Sequence, residues 1–422
     1  VDLSNASVLV DYRKLLPDYF KRIQADEGYG SLEAQVMDAA YQGIVRGIIP
    51  NESNRLLGTA TINDICSNYR FMRRFFGLHW YIYVYLMRMV SLNNPFRETF
   101  YFIKNIAVKK LQNILPKEQS SHESELKMEP LVSIIIPTLN RYEYLRDVLL
   151  DLENQDYKHF EVLVCDQSEP VNELFYAGWK LNLTLLKQEE KALWLARNTC
   201  IRSSKGDYIL LFDDDSRVKS DWIRNHLLCL EKFNVSISAG VTHTLVGHGL
   251  SFKETYYHIS DAFDTGNALV KKSVFKDIGL FDRQFEKQRM GDGEFGLRAF
   301  LAGYQMISNP YAMRVHLKVE KGGLRQMGSW DGVRPKYFFA PRPIPSVLYM
   351  IKKYFGYGTA IFYIFQNVPS SYVPYKWKKS KLLKLFSFLS LPLIFPVMLY
   401  SIIRSWKEAG EKLKQGSRIE YL

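Results

Sequence analysis

From Leu131 onward, short apolar runs alternate with helix-patterned segments, and two of those runs end on an aspartate. Val132 to Pro137 reads as a first strand and Tyr142 to Leu152 as a helix. Phe160 to Cys165 is a second strand, ending at Asp166, and Leu183 to Leu186 a third. Lys191 to Ser203 is helical, Tyr208 to Phe212 is a fourth strand ending at Asp213, and Ser220 and Asp221 stand where they can cap a helix to Phe233. Strands without a polar face must be covered on both sides, so the pattern demands an α/β sheet flanked by helices. Such sheets bind ligands at the carboxyl ends of their strands, where Asp166 and Asp213 lie.

Around this block the chain changes character. Residues 1–115 read as mainly helical, with helix-forming residues over Leu32 to Tyr41 and an uncharged block from Phe75 to Met87. Residues 116–130 are a polar linker, residues 131–320 hold the α/β block, and residues 321–422 form a helical, basic and apolar tail. The chain of 422 residues carries 56 Lys and Arg against 44 Asp and Glu, a net charge of +12. From Val373 to the end, ten basic residues face three acidic ones and flank Leu385 to Ile403, 19 residues without a charge. That run spans roughly 28 Å as a helix, with Pro392 and Pro396 expected to kink it. It reads either as a buried core helix or as a re-entrant or interfacial helix held to an anionic membrane surface by its lysines. Basic residues that flank an apolar run do not form the polar stripe a nucleic acid needs, so no nucleic-acid partner is expected. The four cysteines lack metal-ligand spacing and read as free thiols of a reducing compartment. Val1 to Leu15 has no leader pattern, which places the expectation at the cytoplasmic face of the cell membrane.

The chemistry concentrates in Asp213-Asp214-Asp215. Three carboxylates in a row repel one another unless a cation sits among them. If the chain is extended there, Asp213 and Asp215 share one side and Asp214 faces the other. A hard divalent metal, Mg²⁺ or Mn²⁺, sharing its coordination with a substrate phosphate, satisfies that pattern. An acidic turn ahead of a helix satisfies it too.

Several motifs, in order, resemble the nucleotide-sugar half of a family 2 glycosyltransferase with the GT-A fold. They are Val132-Ser-Ile-Ile-Ile-Pro-Thr-Leu-Asn-Arg141, Glu161 to Asp166, Ala196-Arg197-Asn198, Gly206 to Asp215, Gly266-Asn267-Ala268, Gly279-Leu-Phe-Asp282 and Gly291 to Arg298. The resemblance covers about residues 130–320. It implies a Rossmann-like nucleotide-diphospho-sugar transferase domain that inverts the anomeric centre. Pro137, Thr138 and Arg141 then line the nucleotide pocket, Asp166 accepts from the base edge, and Arg197 reaches the ribose or pyrophosphate. Asp213 and Asp214 serve the donor nucleotide and sugar, and Asp215, with His316, holds the divalent metal. Asp292 matches the general base, with Gly266, Asn267 and Glu294 toward donor sugar and acceptor. Gly322-Gly323-Leu324-Arg325 reads as a plain turn, or as a lid whose Arg325 meets the diphosphate. The partners implied are a nucleotide-sugar donor and a glycan or lipid-linked acceptor.

The sequence departs from that family at Ala192 and Gly291, where a glycine and a glutamate are usual, and Asp166-Gln167-Ser168 lacks the usual glycine turn. Gln326 to Trp330 lacks the arginine of processive synthases, which favours addition of one or a few sugars. Other readings are a non-catalytic glycan-binding scaffold on the same fold, or a nucleotidyltransferase, whose glycine-rich basic loop Pro137 to Arg141 does not resemble.

Overall fold

The computed structural model describes residues 2–3, 23, 26–51, 60–61, 64–111, 125–244, 251–319, 323, 332–335, 337–374, 377, 380, 382–383 and 389–422. The chain divides into two compact units that interleave along the sequence. One comprises Val1–Met128, Asp221–Asp261 and Ala299–Arg314, the other Glu129–Ser220, Ala262–Arg298 and Val315–Leu422.

The second unit holds the α/β block. Five strands of it position the site: β1 (Val132–Thr138), β2 (Phe160–Asp166), β3 (Leu183–Lys187), β4 (Tyr208–Phe212) and β5 (Asn267–Lys271). They lie in the order β3-β2-β1-β4-β5. The first four are mutually parallel and β5 is antiparallel to β4. Every residue of β1 is buried, as expected of a strand covered on both faces. Its buried Ser133 hydroxyl is satisfied, since Oγ donates to Glu161 Oε1 at 2.6 Å and accepts from Gly206 N at 2.8 Å. Gly206 sits so close to β1 that a Cβ there would meet Leu131 O at 2.6 Å, which explains a glycine at the entry to β4.

Helices α1 (Tyr142–Glu153) and α2 (Leu193–Ser203) follow β1 and β3. Helix α2 lacks a capping side chain at Ala192. The carboxylate of Glu286 does that work instead, accepting from Leu195 N at 2.8 Å and Trp194 N at 3.3 Å. Burial pushes the Glu286 carboxyl up, and those two N–H groups pull against the shift.

Besides the short helix Lys272–Ile278, the unit holds three longer ones: α3 (Gly291–Leu301, lying in this unit as far as Arg298), α4 (Pro345–Ser371, broken at Gly356) and α5 (Leu391–Gln415). Helices α4 and α5 pack on one another, with Ser401, Ser405 and Ala409 buried one turn apart. Of the uncharged run read from Leu385, residues 385–388 lie outside the described residues, and Leu391 to Ile403 is only the first part of a helix that continues past Arg404 through charged turns. Pro392 does not kink it. It lies in the first turn, where the missing N–H has no intrahelical partner to lose, and Pro396 alone is interior. No helix among the described residues is long and apolar enough to cross a membrane. The chain's end docks on the α/β block: Leu280 N donates to Glu420 O at 2.7 Å, and Arg418 N to Asp282 Oδ1 at 2.9 Å. Lys412 Nζ reaches Gln284 O at 2.6 Å.

The other unit contains the helices Leu32–Val45, Ile65–Phe75, Leu78–Val90 and Pro95–Asn105, in line with the helical reading of the N-terminal region. It also contains the helix Trp222–Phe233. Asp221 is its N-cap residue but makes no side-chain capping bond, and Ser220 lies one residue outside. Aromatic edges hold the first group: Tyr69 meets Tyr81 at 5.6 Å and Phe71 meets Tyr41 at 5.0 Å between ring centres. The buried Asp38 accepts from Tyr29, Gln42 and Arg74, so its charge is fully engaged. Cys165, Cys200 and Cys229 are buried free thiols and Cys66 is half-buried.

Candidate active site

Because β1, β2 and β4 run parallel, their carboxyl ends open at one edge of the sheet. Thr138 and Asp166 are register partners there, and Asp213 follows the last residue of β4. The turn after β1 passes through Asn140 in the left-handed region (φ 53°), which asparagine tolerates. Asn140 N donates to Ser168 Oγ at 2.8 Å, tying this turn to the one after β2. The consequence is that Arg141, at the foot of α1, reaches the acidic cluster.

Asp213 and Asp215 do converge, and Asp214 does face elsewhere, but not through an extended chain. Asp214 and Asp215 form a turn. Ligand atoms of Asp213, Asp215 and His316 lie within 4.8 Å of one another. Asp215 Oδ1 is 3.3 Å from His316 Nε2, and Leu317 N donates to Asp215 O at 3.0 Å, fixing the end of the strand Met306–His316 against the turn. Two carboxylates and an imidazole gathered on one side fit a divalent cation such as Mn²⁺.

Asp214 turns to the other side. Its Oδ2 accepts from Thr138 Oγ1 at 2.8 Å and its Oδ1 from Arg141 Nη1 at 2.9 Å. Burial pushes the Asp214 carboxyl up to about 6, with Arg141 opposing and Asp215 reinforcing the shift. Arg141 Nη1 also donates to Asp215 Oδ2 at 3.1 Å, and Nη2 to Val319 O at 3.2 Å. Burial alone would lower the Arg141 pKa, but the Asp214 and Asp215 carboxylates outweigh it and raise it. Thr138 and Arg141 are thus placed on the acidic cluster itself, with Pro137 one residue inside β1.

Arg197 is buried, and its Nη2 donates to Asp213 Oδ1 at 2.6 Å and to Thr265 O at 3.1 Å. It orients Asp213 in this structure. Gly266 and Asn267 are buried, and Asn267 is the register partner of Phe212, which brings them to the same edge. Asp166 is fully buried and accepts from Tyr142 OH at 2.7 Å, Tyr176 OH at 2.8 Å and Ser168 N at 2.8 Å. A base edge that bonds to Asp166 must therefore compete with two tyrosine hydroxyls.

Asp292 opens α3 half-exposed, its Oδ1 accepting from Gly293 N at 2.8 Å. Gly291 before it has no room for a side chain, since a Cβ would lie 2.3 Å from Trp194 Cζ2. The indole of Trp194, held by its Nε1 donating to Phe285 O at 3.1 Å, occupies that space. Glu294 is fully buried and bonded within the unit: Arg298 Nη2 is 3.1 Å from Oε2, and Oε1 accepts from Tyr354 OH at 2.5 Å. Lys353 Nζ lies 3.4 Å away. Its side chain holds α3 to α4, where the sequence reading turned it toward substrate. Gly322, Leu324, Arg325 and Gln326 to Trp330 lie outside the described residues, as do Lys376, Lys378, Lys379, Lys381 and Lys384 and most of the 116–130 linker. Tyr142, Tyr176, Trp194 and Thr265 were missed by the sequence reading. Tyr142 had one legible signal, its place directly after Arg141.

Comparison with known proteins bears on the same block. Residues 133–279 match the family model described as glycosyl transferase family 2. The chain is 31% identical to the chondroitin synthase of Escherichia coli over 150 residues, 33% of this chain and 21% of that one. It is also 31% identical over 108 residues to the amylovoran biosynthesis glycosyltransferase AmsB of Erwinia amylovora, covering 24% of this chain and 36% of that one. Across four curated relatives the chain spans between 21% and 64% of their length. Among solved structures, residues 1–349 of TarS from S. aureus with UDP-GlcNAc align at 17% identity and a TM-score of 0.43, covering 68% of this chain and 92% of that one.

Proposed function

Residues 133–279 are a family 2 glycosyltransferase domain, and from that premise we propose that the chain transfers a sugar from a nucleoside-diphosphate donor to a glycan or lipid-linked acceptor in polysaccharide or glycolipid synthesis. The observation that carries this reading is the convergence of Asp213, Asp215 and His316 at the carboxyl edge of a parallel sheet. Asp213, Asp215 and His316 would hold the divalent metal, which supplies charge stabilisation for the departing diphosphate. Thr138, Arg141, Arg197, Gly266 and Asn267 form the walls against which the donor lies, and Asp166 with Tyr142 and Tyr176 meets the base. Asp292, half-exposed on a separate element, accepts the proton of the attacking hydroxyl, which gives inversion. Incubation with a panel of nucleotide sugars, Mn²⁺ and candidate acceptors tests this. Asp292→Asn is expected to bind donor as wild type does and to lose transfer by about 10²–10⁴-fold. Transfer at the wild-type rate would remove Asp292 as the base.

We further propose that this unit rests on an anionic membrane surface at the cytoplasmic face. Phe355, Tyr357, Ile361 and Phe365 on α4 and Leu393, Phe395, Leu399 and Ile403 on α5 are exposed apolar side chains. Since Arg418 and Lys412 anchor the chain's end to Asp282 and Gln284, cutting the chain after Pro374 would also damage the α/β block. Phe365→Glu combined with Leu393→Glu is the cleaner test. Co-sedimentation with anionic vesicles is expected to fall while the melting temperature holds. Unchanged sedimentation would contradict membrane docking.

A further inference from the structure

Resting on the metal reading above, we infer that Arg141 is the resident counter-cation of the acidic cluster and couples metal binding to donor binding. One nitrogen of its guanidinium bridges Asp214 Oδ1 at 2.9 Å and Asp215 Oδ2 at 3.1 Å. The opposite oxygen of Asp215, Oδ1, faces His316 Nε2 at 3.3 Å. Asp215 is thus shared, with one oxygen for the arginine and one for the side where Asp213 and His316 gather. The guanidinium is held there from behind as well. Nη2 donates to Val319 O at 3.2 Å, and the backbone of Gly323 lies against it, so close that a Cβ would be 2.5 Å from Arg141 Cζ. Gly323 has φ +82° and is pinned by its N–H to Leu139 O at 3.0 Å.

A positive charge fixed on Asp215 opposes a second cation on the same carboxylate, and the opposition is strong because Asp214 and Asp215 are buried. A divalent ion arriving alone therefore meets a cluster already part-neutralised. A diphosphate changes the balance, because it brings new negative charge for which Arg141 makes a bidentate partner. As the guanidinium turns to the phosphates, Asp215 returns to the metal. Metal and nucleoside diphosphate then tighten each other by the same factor, since such coupling is reciprocal. Arg141 acts here as a positioning residue.

The test is direct Mn²⁺ binding, read by electron paramagnetic resonance of free Mn²⁺, with and without UDP or GDP. Wild type is expected to bind Mn²⁺ weakly alone and at least about tenfold more tightly with one of the nucleotides. Arg141→Met is expected to bind Mn²⁺ alone about tenfold more tightly than wild type and to show little further gain with nucleotide. Arg141→Lys keeps the charge and is expected to behave as wild type toward Mn²⁺ alone. If Arg141→Met, folded by circular dichroism, binds Mn²⁺ alone no better than wild type, the coupling role is overturned while the metal site stands. If Arg141→Lys matches Arg141→Met, charge is not the cause and the inference also falls. If no form binds Mn²⁺ under either condition, both this inference and the metal reading fail.

Discussion

Glu294 gives the sharpest separation between a residue that holds the site and one that touches substrate. Its carboxylate is fully buried on α3 and receives Arg298, Tyr354 and Lys353. Removing one partner of a buried ion pair costs about 3–5 kcal/mol, because the charges left behind remain desolvated. Arg298 keeps its bonds to Ile278 O, Gly279 O and Leu280 O, which places Glu294→Ala near the low end, about 3 kcal/mol. For a unit of this size, each kcal/mol lowers the melting temperature by about 2–4 °C, so a fall of about 6–12 °C is expected. Tyr354→Phe removes one bond to a charged acceptor and should cost about 1.5–3 kcal/mol. Calorimetric melting with parallel Mn²⁺ titration checks both. Transfer should fall in step with stability, as Asp292 shares α3 with Glu294, while Mn²⁺ binding by Asp213, Asp215 and His316 is retained. If Glu294→Ala melts within a degree or two of wild type yet raises the acceptor KM, Glu294 faces substrate and the scaffolding argument is wrong.

Other consequences follow from the same packing. Gly291→Ala should destabilise by about 1–3 kcal/mol through its clash with Trp194. The double variant with Trp194→Leu should recover most of that loss, and simple additivity in a double-mutant cycle would refute the contact. Lys352 is buried between α4 and α5, its Nζ donating to Trp406 O at 3.1 Å, and burial pushes its pKa down to about 8. The folded chain then holds this proton less tightly than the unfolded chain does. The burden on stability is full below about pH 8 and fades as pH rises toward 10.5, a change of about 3 kcal/mol at most. Urea unfolding at pH 7 and pH 10 should show that gain in wild type and not in Lys352→Met; equal pH dependence in the two would contradict the assignment.

Much of the α/β block could be read from local pattern. The strands Phe160–Asp166 and Tyr208–Phe212 are largely apolar runs closed by an aspartate, so sequence alone located their ends to within a residue and the carboxylates there. The grouping of Asp213 with Asp215 was also legible, although a turn produces it and not an extended chain. What escaped depends on distant packing. Arg141 reaches Asp214 and Asp215 only because Asn140 takes a left-handed turn pinned by Ser168, a residue 28 positions away in sequence. Glu294 read as facing donor sugar and acceptor, yet its partners Lys353 and Tyr354 come from a helix some 60 residues later. The tail's composition suggested a surface helix. Hydropathy cannot register that Arg418 and Glu420 bond to Asp282 and Leu280.

Calorimetric titration of UDP and of GDP, each with and without Mn²⁺, into wild type and Asp215→Ala examines the cation-held diphosphate most directly. At least one nucleotide should bind wild type with affinity that depends on Mn²⁺, and Asp215→Ala should lose that dependence. Nucleotide binding indifferent to Mn²⁺, or unchanged in Asp215→Ala, would contradict the assignment of these residues.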